Sequence, residues 1–419
     1  MFVDNEITQL KKVIVHFPNE GISRISPKKA ETLLFDDIVF YPLMNEEYRV
    51  FQRVLHLFLG EENVLDTKTL VAQALENSKE NEEALIQKVI EFEDLPPSYA
   101  KYLSGLSPYD LSKLLVTGYL KSDQRILFDP LPNYMFTRDI AVTIKEHILL
   151  TKAFKEARYR ENLLTQFLFK NHPLFQSKVD NELFIDLNDL EEFPPSRRAE
   201  QAFAEGGDIM TLTPEYLLVG SSERSTPYAF EQIRDKVFES NIIDNVVQIN
   251  IPNERSFMHI DTLFTMIDYE TLVCFKPIVF DGVGSNVIVH RRNGKEKVYA
   301  SIRDFMVNEV NANMNFIFSG GGHPPFQERE QWTDSCNLVA LRPGVAISYD
   351  RNLRTLVEFE KNGYNVVDAS DLFKHAVLDQ DHITNLEKTI ITIPSAELSR
   401  ARGGSHCMTC PIDRVPWSN

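Results

Sequence analysis

Residues 338–367 read LVALRPGVAISYDRNLRTLVEFEKNGYNVV. Leu338 to Leu341 and Val345 to Tyr349 flank Arg342-Pro343-Gly344, which predicts a hairpin. Leu353, Leu356 and Phe359 share one helical face that ends near Gly363, and the strand Tyr364 to Val367 follows directly. Strand, turn, strand, helix and strand in this one stretch predict an α/β chain. The alternation continues outward. Strand-like runs lie at Lys12 to Phe17, Leu217 to Val219, Val246 to Ile251, Leu263 to Asp268, Leu272 to Phe275 and Phe316 to Phe318. A helical stripe at Phe51, Val54, Leu55 and Phe58 stops at Gly60.

One block breaks the alternation. Residues 68–125 carry almost no strand signal, while Leu85, Ile86, Val89 and Ile90 are helically spaced. Ser107-Pro108-Tyr109-Asp110 predicts an N-cap with proline at N1, and Leu111, Leu114 and Leu115 continue to Gly118. The expectation is a helical subdomain, 68–125, inserted into an α/β body formed by 1–67 and 126–419. Glycines at Gly206-Gly207, Gly320-Gly321-Gly322 and Gly403-Gly404 each adjoin a strand-like run and suggest repeated α/β units turning at one end.

The 419 residues carry a formal charge of −17. Such an acidic chain does not bind nucleic acid through bulk electrostatics, and it mildly favours a cationic substrate. No segment approaches the roughly 20 apolar residues of a membrane span. The acidic N-terminus lacks a signal-peptide core, and four cysteines make no disulfide framework. A cytoplasmic protein with reduced thiols is expected.

The chemistry concentrates at Arg402-Gly403-Gly404-Ser405-His406-Cys407-Met408-Thr409-Cys410-Pro411. Glycines allow main chain to approach a ligand closely, and Arg402 and His406 favour a thiolate on Cys407. A buried structural thiol and a Cys407/Cys410 redox or metal pair fit the spacing as well. In an extended strand His259 and Asp261 point to one side, as an acid–base unit, half a metal site or a structural pair. Glu205 and Asp208 surround Gly206-Gly207, and Phe136 stands three residues before Asp139. One thiol, one histidine, several carboxylates and several arginines suit a planar cation that carries a carboxylate at its other end.

The chain resembles the arginine deiminases of the guanidine-modifying superfamily. The likeness runs through Leu33 to Asp37, Phe136 to Asp139, Glu205 to Asp208, His259 to Thr262, Arg329 to Trp332, Gly344 to Asn352 and Arg402 to Ile412, in family order. It implies a five-bladed pseudo-symmetric α/β-propeller of ββαβ-like units with a central site, and hydrolysis of L-arginine to L-citrulline and ammonia. It implies Cys407 as nucleophile, His259 as general acid and base, and Glu205 as the partner of His259. Asp139 and Asp261 match carboxylates that grip the guanidinium, and Phe136 an aromatic wall. Asn133, Arg158, Arg224 and Arg402 match residues around the α-carboxylate, Gly404 a backbone contact, and Asp208 a supporting acid. No metal or cofactor is implied, and a homo-oligomer, dimer or tetramer, is expected.

Other readings are an arginine dihydrolase, an amidinotransferase, a silent arginine-binding protein, or a metallohydrolase built on His259, Asp261, Glu205 and Asp208. The helical insert favours the deiminases over the smaller relatives. Two departures stand out. Ser405 replaces a third glycine, and serine tolerates positive φ poorly, so a stiffer or differently bent loop is expected. The stretch 368–393 is longer than usual and is expected to cover the entrance or to form an oligomer contact.

Overall fold

The computed structural model describes residues 1–35, 37–120, 124–378 and 381–418. The opening stretch forms the antiparallel hairpin Val339–Arg342 and Val345–Tyr349, turned at Gly344 with φ 74°. Helix Leu353–Lys361 and strand Asn365–Asp368 follow. The expected order and the hairpin hold. The hairpin pairs in parallel with Thr389–Ile393, and Asn365–Asp368 lies outside it. Burial explains this. Thr389–Ile393 is buried throughout, as an inner parallel strand must be, whereas Asn365–Asp368 is partly exposed.

The same arrangement, an antiparallel hairpin followed by a parallel third strand, recurs four times. Ala141–Ile144 and His147–Leu150 take Phe184–Asp186. Ile209–Thr213 and Tyr216–Ser221 take Asn245–Asn250, and Phe264–Asp268 and Thr271–Cys274 take Asn315–Phe318. Cys410–Arg414 and Leu10–Val15 take Val64–Asp66, so the two ends of the chain close one sheet. Parallel neighbours need a crossover. Helices such as Tyr159–Asn171, Pro227–Glu239 and Tyr41–Leu59 supply it. The last buries Tyr48, Phe51, Val54 and Leu55, at roughly 1.5–3 kcal/mol per large apolar side chain, and ends at Gly60 with φ 82°.

The first strands of several sheets touch. Cys410–Arg414 meets Ala141–Ile144, which meets Ile209–Thr213, and Phe264–Asp268 meets Val339–Arg342, which itself meets Leu10–Val15, the central strand of the sheet that joins the chain ends. Short turns precede these strands and carry Asp139, Asp208, Asp261, Asn337 and Cys407. One end of the strand array therefore gathers the polar side chains. The glycine runs are not equivalent corners. Gly206-Gly207 and Gly403-Gly404 precede first strands, while Gly320-Gly321-Gly322 follows a third strand.

The strand-poor block forms helices Thr67–Asn77, Lys79–Phe92, Tyr99–Leu103 and Pro108–Thr117. The Ser107 hydroxyl accepts from Asp110 N at 3.2 Å, and Gly118 closes the last helix with φ 65°. Val71, Leu85, Leu111 and Leu115 share one core with Leu164 and Leu168 of the crossover helix Tyr159–Asn171. Among the described residues no helix is long and apolar enough to cross a membrane. Helices Ala369–Leu378 and Asp381–Thr384 occupy the lengthened stretch, and Asp379 and Gln380 lie outside the described residues. Phe373 packs under Arg53, on the Tyr41–Leu59 side, and none of the described residues of this stretch lines the site described next.

Candidate active site

The loop before Cys410–Arg414 is shaped by contact more than by backbone strain. A Cβ on Gly403 would meet the Phe136 ring at 2.3 Å, and one on Gly404 would meet Asn337 O at 2.4 Å. The positive φ, 64°, belongs to Arg402 and not to Ser405. Ser405 is buried instead. Its hydroxyl donates to Ile347 O at 2.7 Å and accepts from Val339 N at 3.0 Å, which pins the loop to a hairpin. Ser405 adopts no positive φ, so no left-handed strain arises there, and its two bonds hold the loop firmly, in line with the expected stiffness. Cys407 N donates to Asn337 Oδ1 at 3.0 Å, and Asn337 Nδ2 donates to Asp261 O at 3.1 Å. Asn337 brackets two site loops. Cys410 departs along its strand with its thiol against Ala141 O, and all four cysteines are free.

His259 and Asp261 do not sit on one strand. His259 is extended, but Ile260–Thr262 is a 3₁₀ turn, which sends the two side chains to different partners. His259 Nε2 lies 3.0 Å from Glu205 Oε2, and Nδ1 lies 3.8 Å from Asp139 Oδ1. A Cβ on Gly207 would meet the imidazole at 2.5 Å, so the second glycine of the pair makes room for the ring. Asp261 Oδ2 accepts from His406 Nδ1 at 2.9 Å and from the Cys407 thiol at 3.5 Å. Asp208 stands behind the histidine turn, accepting from Ile260 N at 3.0 Å and from the Ser222 hydroxyl at 2.5 Å. It supports the turn and does not line the cavity.

Burial would depress the His259 pKa, but the Asp139 charge and the Glu205 hydrogen bond overcome this and raise it from 6.5 to about 9. Burial pushes the Cys407 thiol well above its usual range, and the carboxylates of Asp261, Asp139 and Asp334 push it further. At neutral pH His259 is thus an imidazolium and Cys407 a neutral thiol. A base whose pKa rises on folding stabilises the fold fully below its unfolded pKa. The His259 contribution is present below pH 6.5 and is lost as pH rises through about 9. NMR titration of the imidazole in the empty protein is expected to give a midpoint near 9, and Glu205→Gln to move it downward.

Arg158, which the resemblance matches to residues around an α-carboxylate, is bonded in this structure to three acids. Its Nη1 donates to Asp139 Oδ2 and to Glu205 Oε2, each at 2.8 Å, and its Nε donates to Glu161 Oε2 at 2.8 Å. Three buried carboxylates otherwise repel, so an internal guanidinium settles among them. Around it lie Asn133, Phe136, Arg224, Arg402, His259 and Cys407, lining a cavity of about 20 Å³. That is room for about one water molecule. Asn133 Nδ2 donates to Leu33 O at 2.7 Å, and Arg224 reaches Glu205 at 3.6 Å. The Arg402 guanidinium stacks 3.3 Å from the Trp332 ring centre.

Against this geometry, the family model for arginine deiminase matches residues 106–414. The chain belongs to the arginine deiminase family. It is 31% identical to the arginine deiminase of Pediococcus pentosaceus and 30% identical to that of Mycoplasma capricolum. Each alignment covers 98% of this chain, and 98% and 96% of those proteins. Solved structures share the fold at low identity. An amidinotransferase from Microseira wollei aligns with TM-score 0.53 at 12% identity, covering 99% of this chain and 97% of that one. A DDAH from Pseudomonas aeruginosa, a mutant complexed with citrulline, aligns with TM-score 0.51 at 12% identity, covering 96% and 99%.

In this deiminase-family chain the structure gathers Cys407, His259, Glu205, Asp139 and Asp261, with Phe136, Asn133, Arg224 and Arg402 at the cavity and Asp208 and Gly404 behind it. Two residues escape sequence reasoning. Asn337 lies in Cys336-Asn337-Leu338, a run without any chemical signature. Glu161 was detectable only as an acid three residues after Arg158 on a helix, a common surface spacing. Here it is buried, and burial, opposed by Arg158, raises its pKa to about 7.

Proposed function

We propose that this chain hydrolyses L-arginine to L-citrulline and ammonia through a covalent intermediate on Cys407. The observation that carries the reading is Arg158. Asp139 and Glu205 hold a guanidinium by two 2.8 Å bonds, in a cavity that Cys407 and His259 also line. What fits the protein's own guanidinium fits that of free arginine. When substrate arrives, Arg158 withdraws from Asp139 and Glu205 and joins Asn133, Arg224 and Arg402 around the α-carboxylate. Glu161 keeps hold of its Nε end.

A guanidinium is resonance-stabilised and a poor electrophile. Asp139 and Asp261 fix its plane and localise its charge, with Phe136 as a wall, so the thiol sulfur faces the central carbon. The bound cation offsets the carboxylates that keep Cys407 protonated, and the thiol releases its proton to solvent. The thiolate attacks the carbon. His259, already protonated, gives its proton to the departing nitrogen, and ammonia leaves an S-alkylthiouronium on Cys407. Neutral His259 then takes a proton from water, and the hydroxide adds to the same carbon. Collapse expels the thiolate and, after loss of the hydroxyl proton, frees citrulline.

Five recurrent hairpin-plus-parallel-strand units, with touching first strands and a shared polar end, support a five-bladed α/β-propeller around this site. We read 68–125 as an inserted helical subdomain, and the protein as a cytoplasmic homo-oligomer that needs no metal or cofactor. Four free cysteines fit that compartment.

One observation favours a second reading. Asp139, Glu205 and His259 offer ligand atoms within 4.8 Å of one another, a set able to hold a metal ion. Exhaustive chelation separates the two. Arginine turnover by chelated protein is expected to continue unchanged, yielding one citrulline and one ammonia per arginine. Loss of activity restored by a divalent metal would favour the metallohydrolase, and ornithine with two ammonia molecules a dihydrolase.

A further inference from the structure

A second cavity, of about 670 Å³, lies between the helical block and the body, away from Cys407. Its volume falls within the range of small-molecule sites. Lys152, Phe92, Tyr159, Asn162, Gln166 and Asn188 are among its lining residues. Lys152 is only 7% exposed, yet among the described residues its ammonium has no hydrogen-bond or ion-pair partner. The Phe203 ring centre lies 5.3 Å from it. Asp186 attracts it at a distance, but that carboxylate is already bonded to Lys170 and Gln166. Its stem is buried, but its ammonium keeps contact with solvent, as a lysine does when its charge stays at a surface, and no acid of the described residues pairs with it there.

Two further features point to the rest of a ligand. Asn162 is 7% exposed, and its Nδ2 also has no partner among the described residues. Phe92 and Tyr159 stack with ring centres 4.5 Å apart, and Tyr159 is 42% exposed, which offers an aromatic platform beside the cation.

We propose that this cavity binds an anionic small molecule bearing a flat ring, of the nucleoside monophosphate class. The anion neutralises Lys152, the Asn162 amide donates to it or to the sugar, and the base stacks on the Tyr159 platform. The site backs onto the catalytic residues through the chain itself. Lys152 exchanges main-chain hydrogen bonds with Ala204, the neighbour of Glu205, and Tyr159 and Asn162 follow Arg158 and Glu161. Occupancy is therefore felt by Arg158, which must move when arginine binds. This assignment does not depend on the covalent mechanism.

Calorimetric titration of the full chain with AMP, UMP, adenosine and inorganic phosphate tests it. AMP or UMP is expected to bind in the micromolar to low millimolar range, and each more tightly than phosphate or adenosine. Lys152→Met and Tyr159→Leu are each expected to weaken AMP binding at least about tenfold. Lys152→Met is expected to turn over arginine as wild type does, which also reports that it folds; the exposed Tyr159→Leu serves if it does not. Absence of AMP and UMP binding, phosphate or adenosine binding as tightly as AMP, or affinity untouched by both variants would each overturn the site. Saturating AMP is expected to change KM for arginine, and bound AMP that leaves both KM and kcat unchanged would overturn the link to Arg158.

Discussion

Replacing Cys407 by serine is expected to lower citrulline formation from arginine by on the order of 10⁴-fold or more, the scale of losing a nucleophile. The reasoning is local. The thiol makes one recorded bond, to Asp261 at 3.5 Å, and the loop is held instead by the Cys407 backbone on Asn337 and the Ser405 hydroxyl on Ile347 and Val339. A serine hydroxyl fits that space, so the protein remains folded while the nucleophile is gone. Steady-state citrulline assay beside a thermal melt separates the two effects. Unchanged melting with turnover collapsed is the expected pair.

Asp261→Asn is expected to do two opposite things. Burial raises the Cys407 thiol pKa most, and the Asp261 charge comes next. Removing that charge makes the empty-site thiol more acidic, visible as thiolate absorbance appearing at lower pH. Turnover, however, is expected to fall by roughly 10²–10³-fold, because one of the two carboxylates that fix and polarise the guanidinium is lost. A thiol easier to ionise in a slower enzyme is the signature of a site that stabilises its thiolate only through bound substrate. If Asp261 merely props the loop, turnover and thiol acidity would not move apart in this way.

Much of this site is written along the chain, and some of it is not. Cys407 and Glu205 stand beside glycine pairs, but residue types alone leave structural readings open, and it is the family-order resemblance that marks them together with His259 and Asp139. The helix cap at Ser107, the stop at Gly60 and the hairpin at Gly344 are legible because turn and cap chemistry is local. What fails to show is set by distant contacts. A period of two places His259 and Asp261 on one face, but Ile260–Thr262 turns because Asp208, fifty-two residues upstream of Ile260, binds its N–H. A serine in place of a third glycine raises the question of a positive φ, which the fold places at Arg402 instead. Thr389–Ile393 becomes the inner strand because a hairpin well upstream has room for it. The bonds of Arg158 to three acids show only in the fold, where Asp139, Glu161 and Glu205 converge on it.

The covalent step on Cys407 is the centre of the account, and rapid quenching tests it most directly. Protein is mixed with arginine labelled at the guanidino carbon, stopped in acid before one turnover is complete, and examined by denaturing mass spectrometry. The account predicts that the peptide containing Cys407 gains arginine less ammonia, carries the label, and loses both as citrulline appears. Labelled citrulline formed at full rate with Cys407 unmodified throughout, or an adduct borne by another residue, would contradict it.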